Sequence, residues 1–160
     1  MSFKNSVIRL MNKDDLDDVL AIENLCYPTP WSPQQFLDEL QNRAASILVC
    51  EWGGKISGYI CFWLIAGEMQ ILNIATAPTM RRKGIGELLL ERAFADCRPT
   101  GLSSAWLEVR AGNRGAIKLY QRHGFKRTGS RRGYYRDGED ALLMVKEFDC
   151  LEHTKVAGEK

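Results

Sequence analysis

Residues 69–96 constrain this chain more than any other stretch. Met69–Thr76 is rich in apolar and β-branched residues and reads as a strand. Pro78 ends it, because a proline offers no N–H to a ladder. Arg81-Arg82-Lys83-Gly84-Ile85-Gly86 follows, and Gly84–Asp96 then places Ile85, Leu88, Leu89, Arg92 and Ala93 at helical spacing. A strand, a glycine turn and an amphipathic helix form a unit that packs helices on a sheet. Glycine at such a turn permits positive φ and close approach of backbone. The first-turn N–H groups then face whatever lies beyond them, where the helix dipole favours an anion. With three cations just before the turn, the chemistry fits a pyrophosphate. It equally fits an ordinary loop with solvated charges. The nucleotide P-loop G-x-x-x-x-G-K-[ST] is absent, and so is the dinucleotide fingerprint G-x-G-x-x-G.

The other segments supply more strands and helices. Ser6–Met11 is a short strand, and Asn12 caps the helix after it. Asp14, Asp15, Asp17 and Asp18 crowd the first turns of that helix and read as a solvated start. Its stripe is Leu16, Val19 and Leu20, with Glu23 next in the same spacing. Tyr27-Pro28-Thr29-Pro30-Trp31 breaks the helix, and Ser32-Pro33 opens another that runs to about Asn42. Ser46–Glu51 and Lys55–Ile65 are strands around a Gly53-Gly54 hairpin. Ser104–Arg110 alternates cleanly, with Ala105, Leu107 and Val109 on one side and Trp106, Glu108 and Arg110 on the other. Gly112–His123 is a helix stopped by Gly124. Phe125–Arg131 and Ala141–Phe148 are the last strands. Residues 149–160 are polar and unpatterned, which predicts a flexible tail.

At 160 residues the chain fits about one domain on a prior of roughly 150 residues, here spanning 6–148. Apolar residues at 45% and charged residues at 26% exclude wholesale disorder. The five cysteines (Cys26, Cys50, Cys61, Cys97, Cys150) are widely spaced without C-x-x-C, so neither a zinc site nor a disulfide framework is expected, and no metal. Cys50 and Cys61 lie in strand-like runs and read as core thiols. No apolar run approaches the roughly 18–20 residues of a membrane span, and the first residues lack a signal-like stretch. A soluble, cytoplasmic protein without membrane contact is expected. The net charge of +2 argues against a dedicated nucleic-acid binder. It conceals a segregation: residues 81–136 carry 14 basic and 4 acidic side chains, net +10, between two blocks of net −4. Such a block points to a local anionic partner.

Arg81-x-x-Gly84-x-Gly86 between a strand and a helix resembles the pyrophosphate loop of the GCN5-related N-acetyltransferase (GNAT) family. Leu72-Asn73-Ile74-Ala75-Thr76-Ala77-Pro78 resembles the family's splayed central strand. Leu107-Glu108-Val109-Arg110-Ala111-Gly112-Asn113, followed by Ala116-Ile117-x-Leu119-Tyr120-x-x-x-Gly124-Phe125, resembles its next strand and helix. The likeness covers roughly residues 6–148. Pro30-Trp31-Ser32, Leu107-Glu108-Val109-Arg110, Arg131-Arg132-Gly133-Tyr134-Tyr135 and Gly138-Glu139-Asp140-Ala141 resemble the branch that acetylates protein N-termini. One departure is Gly112, where serine is common in that branch, and it is expected to loosen its turn without removing a catalytic group.

The resemblance implies a fold and a site. The fold is α/β in the α+β sense: a mixed, mostly antiparallel sheet of six to seven strands with four helices, its central strands splayed to admit acetyl-CoA. Ile74, Ala75 and Thr76 are then expected to bond the pantetheine arm and polarise the thioester. The backbone of Arg82, Lys83, Gly84, Ile85, Gly86 and Glu87 is expected to hold the pyrophosphate. Asn113 matches a cofactor-contacting asparagine, or is simply a helix cap.

An α-amine has a pKa of about 7.7–8.0 and is partly protonated at neutral pH, so transfer benefits from a base. Glu108 is the candidate, directly or through a water. Lying beside Trp106 and away from solvent, its carboxyl is expected to titrate high. The structural alternative is a partner for an arginine such as Arg110. Tyr120 is the candidate acid for the departing CoA thiolate, the alternative being a core tyrosine. Tyr27, Trp31, Tyr134 and Tyr135 are candidates for the peptide site, and the two adjacent tyrosines can equally just pack their loop. His123 reads as a helix-end residue, and His153 lies in the tail.

The implied activity is acetylation of a protein N-terminal amine, in particular the alanine terminus of a small-subunit ribosomal protein, by direct transfer from acetyl-CoA. The partner is then an N-terminal peptide, with no nucleic acid required and a monomer or weak dimer expected. Two other readings stay open. One is the same fold acting on broader protein N-termini or a small-molecule amine. The other is a basic module that binds RNA through residues 127–136.

Overall fold

The structure is a computed structural model that describes residues 5–149. Among the described residues, seven strands and four α-helices follow the order β1 (Ser6–Leu10), α1 (Leu16–Cys26), α2 (Pro33–Gln41), β2 (Ala45–Trp52), β3 (Lys55–Ile65), β4 (Glu68–Thr76), α3 (Ile85–Cys97), β5 (Ser104–Arg110), α4 (Arg114–Arg122), β6 (Lys126–Arg131) and β7 (Ala141–Glu147). The strands form one sheet in the order β1-β2-β3-β4-β5-β7-β6. The β4–β5 pair is parallel; β1–β2, β2–β3, β5–β7 and β6–β7 are antiparallel. This is the mixed, mostly antiparallel sheet with four helices that the resemblance implies. The tail expected over 149–160 falls, from Cys150 on and with His153, outside the described residues.

The chain separates into two compact units, with β4 divided between them. One holds the described residues up to Trp63 together with Asn73–Asp96. Its hairpin turn at Gly53 and Gly54 has φ of +60° and +81°, the pairing of signs that a two-residue turn between twisted strands requires. Ser32 caps α2 by accepting from the Gln35 N–H, and Pro33 occupies the first helical position. Val19, Ile22, Phe36, Ile47, Val49, Tyr59 and Leu89 are buried in its core, as are the thiols of Cys50 and Cys61. Burial pushes both thiols upward in pKa. Gly58 is a packing position. A Cβ there would lie 2.9 Å from the Ala75 carbonyl oxygen and 2.9 Å from Ile85 Cγ2, so only glycine lets α3 approach the sheet this closely.

The acidic start of α1 differs from a simple solvated cluster. Asn12 and Asp15 form a reciprocal cap on the short 3-10 turn Lys13–Asp15 that leads into α1, rather than on α1 itself, with Asp14 N–H donating to Asn12 at 2.9 Å and Asn12 N–H to Asp15 at 2.8 Å. Asp15 is buried, and Arg9 donates to its two oxygens at 2.7 and 2.8 Å. That guanidinium holds the Asp15 carboxyl below its ordinary pKa. Sequence proximity to three other aspartates obscured the pairing, because its partner comes from β1.

The other unit holds Leu64–Leu72 and the described residues from Cys97 on. Glu68–Ile71 of β4 pair with Ser104–Leu107 of β5, and the last rung is Ile71 with Leu107. β7 pairs with the whole length of β5. The alternation read in β5 is present: Ala105, Leu107 and Val109 are buried, while Trp106, Glu108 and Arg110 are half-buried on the other side. α4 stops where Gly124 turns at φ +91°, and Lys146 Nζ donates to the His123 carbonyl at 2.6 Å. His123 Nδ1 lies 2.9 Å from the Leu119 carbonyl, consistent with a helix-end residue.

Candidate active-site residues

The first unit carries the candidate donor residues other than Asn113. Ile74 and Ala75 are buried and Thr76 is half-buried near the end of β4. The Tyr27 hydroxyl donates to the Ile74 carbonyl, and Cys26 Sγ lies 3.4 Å from the Thr76 carbonyl. Ala77 N–H donates to Ser57 at 2.8 Å, anchoring the chain as it leaves the strand. The turn then contains two left-handed residues, Arg82 at φ +64° and Gly84 at +80°. The sequence anticipates a glycine there; an arginine in that region is uncommon. α3 starts at Ile85, and its first rung is Leu88 N–H to the Gly84 carbonyl at 3.0 Å. The amides of Ile85 and Gly86 therefore precede the ladder. The Ile85 side chain is buried, while Gly86 and Glu87 are half-buried. The cations do not act as a block: Lys83 stands 5.9 Å over the Trp52 ring, and Arg81 Nη2 lies 3.6 Å from Cys26 Sγ. Trp31 is half-buried against Phe36 at 5.1 Å.

The second unit carries the candidate acid–base residues. Glu108 is ion-paired with Arg131, whose Nε lies 3.0 Å from its carboxylate. The Tyr134 hydroxyl also donates to Glu108, a bond that holds the phenol proton and raises the Tyr134 pKa. So the carboxylate is enclosed by polar partners rather than by Trp106 alone, and its arginine is Arg131, not Arg110. Arg110 is engaged elsewhere. It pairs with Asp137 at 2.8 Å and Glu139 at 3.0 Å, and its guanidinium lies 4.0 Å from the Tyr135 ring centroid. Tyr134 and Tyr135 meet edge-on at 5.2 Å, with Tyr134 half exposed. Tyr120 is buried against Phe125 at 5.5 Å, and burial raises its hydroxyl pKa well above the ordinary value.

Asn113 caps α4, accepting from Ala116 N–H at 3.2 Å. Gly112 lies in the turn before it, tied to Glu139. Its N–H donates to Glu139 at 3.1 Å, and a Cβ would lie 2.7 Å from the same oxygen. The segment between β6 and β7 is fixed further by Tyr135 N–H to Glu139 and Gly133 N–H to the Asp140 carboxylate. Among the described residues no cluster of His, Cys, Asp or Glu could hold a metal ion, and no helix is long and apolar enough to cross a membrane.

Sequence reasoning passed over Glu23. It is 1% exposed, yet it is a carboxylate. Tyr59 OH, Asn73 Nδ2 and Trp31 N–H all donate to it, the last two at 2.8 and 3.1 Å. The available signal was its position in line with the Leu16–Val19–Leu20 stripe, where an apolar residue is expected.

The fold and the similarity to known proteins make this chain an acyltransferase. The sequence model described as the acetyltransferase (GNAT) family matches residues 16–125, and the chain belongs to that family and is an N-acetyltransferase. It is 38% identical over 141 residues to a Bacillus subtilis (strain 168) protein named as a candidate ribosomal protein bS18-alanine N-acetyltransferase, covering 87% of this chain and 93% of that one. An N-alpha-acetyltransferase of Sulfurisphaera tokodaii is 33% identical over 151 residues, covering 86% of this chain and 90% of the relative. The crystal structure of the ribosomal-protein-S18-alanine N-acetyltransferase from Escherichia coli superposes with a TM-score of 0.82 at 32% identity, covering 89% of this chain and 93% of that chain.

Proposed function

We propose that the protein transfers the acetyl group of acetyl-CoA to the α-amine of a protein N-terminus in the cytoplasm, and that its principal substrate is the N-terminal alanine of a small-subunit ribosomal protein. We read residues 6–148 as the catalytic domain. The observation that carries the reading is the setting of Glu108: a half-buried carboxylate joined by the Tyr134 hydroxyl, on the segment assigned to the peptide. The similarity to bacterial and archaeal enzymes named for protein N-termini supports it.

The donor is held chiefly by backbone. Ile74, Ala75 and Thr76 receive the pantetheine arm, and residues 82–87 receive the pyrophosphate at the start of α3, where amides and dipole favour an anion. Asn113 contributes to the same cofactor through its side chain while capping α4. In the transfer, the amine lone pair attacks the thioester carbonyl carbon. Glu108 takes a proton from the amine, directly or through a water, and the C–S bond breaks. Tyr120 gives its hydroxyl proton to the CoA thiolate. A tyrosine hydroxyl, with an ordinary pKa of about 10, holds that proton at neutral pH until the thiolate forms. Tyr27, Trp31, Tyr134 and Tyr135 receive the first peptide residues.

An α-amine near pKa 7.7–8.0 needs far less help from a base than a lysine amine near 10.4. The test is therefore a panel: peptides starting with Ala, Ser and Met against free lysine, each with acetyl-CoA. The expected result is highest kcat/KM on the Ala peptide. Turnover of free lysine at a comparable kcat/KM overturns the reading.

A further inference from the structure

Glu23 is buried at the C-terminal part of α1, and each of its donors comes from a different element. Tyr59 OH comes from β3 and Asn73 Nδ2 from β4, the latter at 3.0 Å to Oε1 and 2.8 Å to Oε2. Trp31 N–H comes from the segment that joins α1 to α2, at 3.1 Å to Oε1. Asn73 Nδ2 also donates to Tyr59 OH at 3.1 Å, so the group is a closed network without an unsatisfied buried polar atom. Stability alone does not call for such a group. Buried hydrogen-bonding partners replaced together by apolar groups of the same shape can be nearly neutral or more stable. What the network does is geometric. Asn73 immediately precedes Ile74, the first donor-binding residue, and Trp31 lies in the peptide-binding segment. A second tie runs in parallel, from the Tyr27 hydroxyl to the Ile74 carbonyl.

We propose that Glu23 is a positioning residue for peptide capture: through the Trp31 amide and Asn73 it fixes the Tyr27–Trp31 segment against the donor-binding end of β4. This rests on the peptide reading above. A carboxylate is suited to the task because it only accepts hydrogen bonds, and all three neighbours offer donors. Glutamine has the same shape but turns one oxygen into a donor facing the Asn73 amide.

The test compares wild type, Glu23→Gln, the double substitution Glu23→Gln with Asn73→Asp, and Tyr59→Phe. Peptide KM, kcat and acetyl-CoA affinity are measured for each. Glu23→Gln is expected to raise peptide KM by about tenfold, equal to about 1.4 kcal/mol, with kcat at saturating peptide and acetyl-CoA affinity within about twofold of wild type. The double substitution restores a donor–acceptor match and is expected to recover peptide KM. Tyr59→Phe removes one donor without touching Trp31, so peptide KM is expected to stay put even if the melting temperature falls. Unchanged peptide KM in Glu23→Gln overturns the role. So does an equal loss of donor and peptide affinity tracking stability. If Glu23→Gln does not fold, amide exchange on the wild type decides: a Trp31 N–H that exchanges as fast as an exposed loop amide also overturns it. If wild-type enzyme acetylates no peptide α-amine at all, the peptide reading fails instead, which the wild-type arm shows by itself.

Discussion

The two compact units present their candidate chemistry in different ways. In the first, the proposed donor-binding residues would contribute mainly backbone: the end of β4, a left-handed turn and the opening amides of α3. In the second, the proposed base and acid, Glu108 and Tyr120, would act through side-chain atoms whose geometry is set by other side chains, Arg131, Tyr134 and Phe125. A backbone site depends on whether the chain can take a path. A side-chain site depends on whether one functional group is present. The first should therefore be sensitive to volume and φ and tolerant of side-chain chemistry. The second should show the opposite pattern.

The largest effect tests the second unit. Glu108→Gln keeps shape and removes the proposed base. A positioned base contributes roughly 100- to 10,000-fold, and a loss of kcat in that range is expected, with acetyl-CoA affinity by calorimetry unchanged. Activity equal to wild type across pH removes the role. Tyr120→Phe follows, with a fall in kcat of roughly 10-fold or more as the acid is lost. Donor binding is again retained. Loss of binding with kcat preserved would make Tyr120 a core tyrosine and nothing else.

Gly58→Ala tests the first unit from the opposite side. It adds one methyl and removes no functional group. The new Cβ meets the Ala75 oxygen and Ile85 Cγ2 at 2.9 Å, and neither is the end of a flexible side chain. Overpacking of this kind costs about 1–3 kcal/mol, read as a lower denaturation midpoint. Because the displaced atoms belong to β4 and α3, acetyl-CoA affinity should fall as well. A variant that loses stability but binds donor normally would uncouple the packing of α3 from the donor site.

The same contrast explains what the sequence made legible. A backbone site leaves local marks. Gly84 sits between three cations and an amphipathic helix, and its φ of +80° is what a glycine in that place suggests. The alternation of Ala105, Leu107 and Val109 likewise put Glu108 on the correct side of β5. Side-chain pairing leaves no local mark. Arg110 is two residues from Glu108 on the same face, yet it pairs with Asp137 and Glu139, while Glu108 takes Arg131 from the far end of β6. Only the return of β6 and β7 to β5 decides that choice. Glu23 fell between the two cases. Its helical spacing was visible, but its three donors come from distant elements.

Arg82 gives the smallest effect and separates charge from chain path within the first unit. It is exposed, with φ +64°. A non-glycine residue in the left-handed region costs about 1–2 kcal/mol, and glycine escapes that cost. Arg82→Ala and Arg82→Gly both remove the cation, so they should weaken acetyl-CoA by the same small factor, about 2- to 5-fold, since exposed charges contribute about 0.3–1 kcal/mol near a helix start. They should differ in stability. Arg82→Gly is expected to raise the denaturation midpoint above that of Arg82→Ala, because only glycine relieves the left-handed strain. If the turn serves as a backbone cradle, both variants keep most of their kcat. A large loss of donor affinity in both would instead assign the phosphates to the Arg82 side chain, and the contrast between the two units would no longer hold at this position.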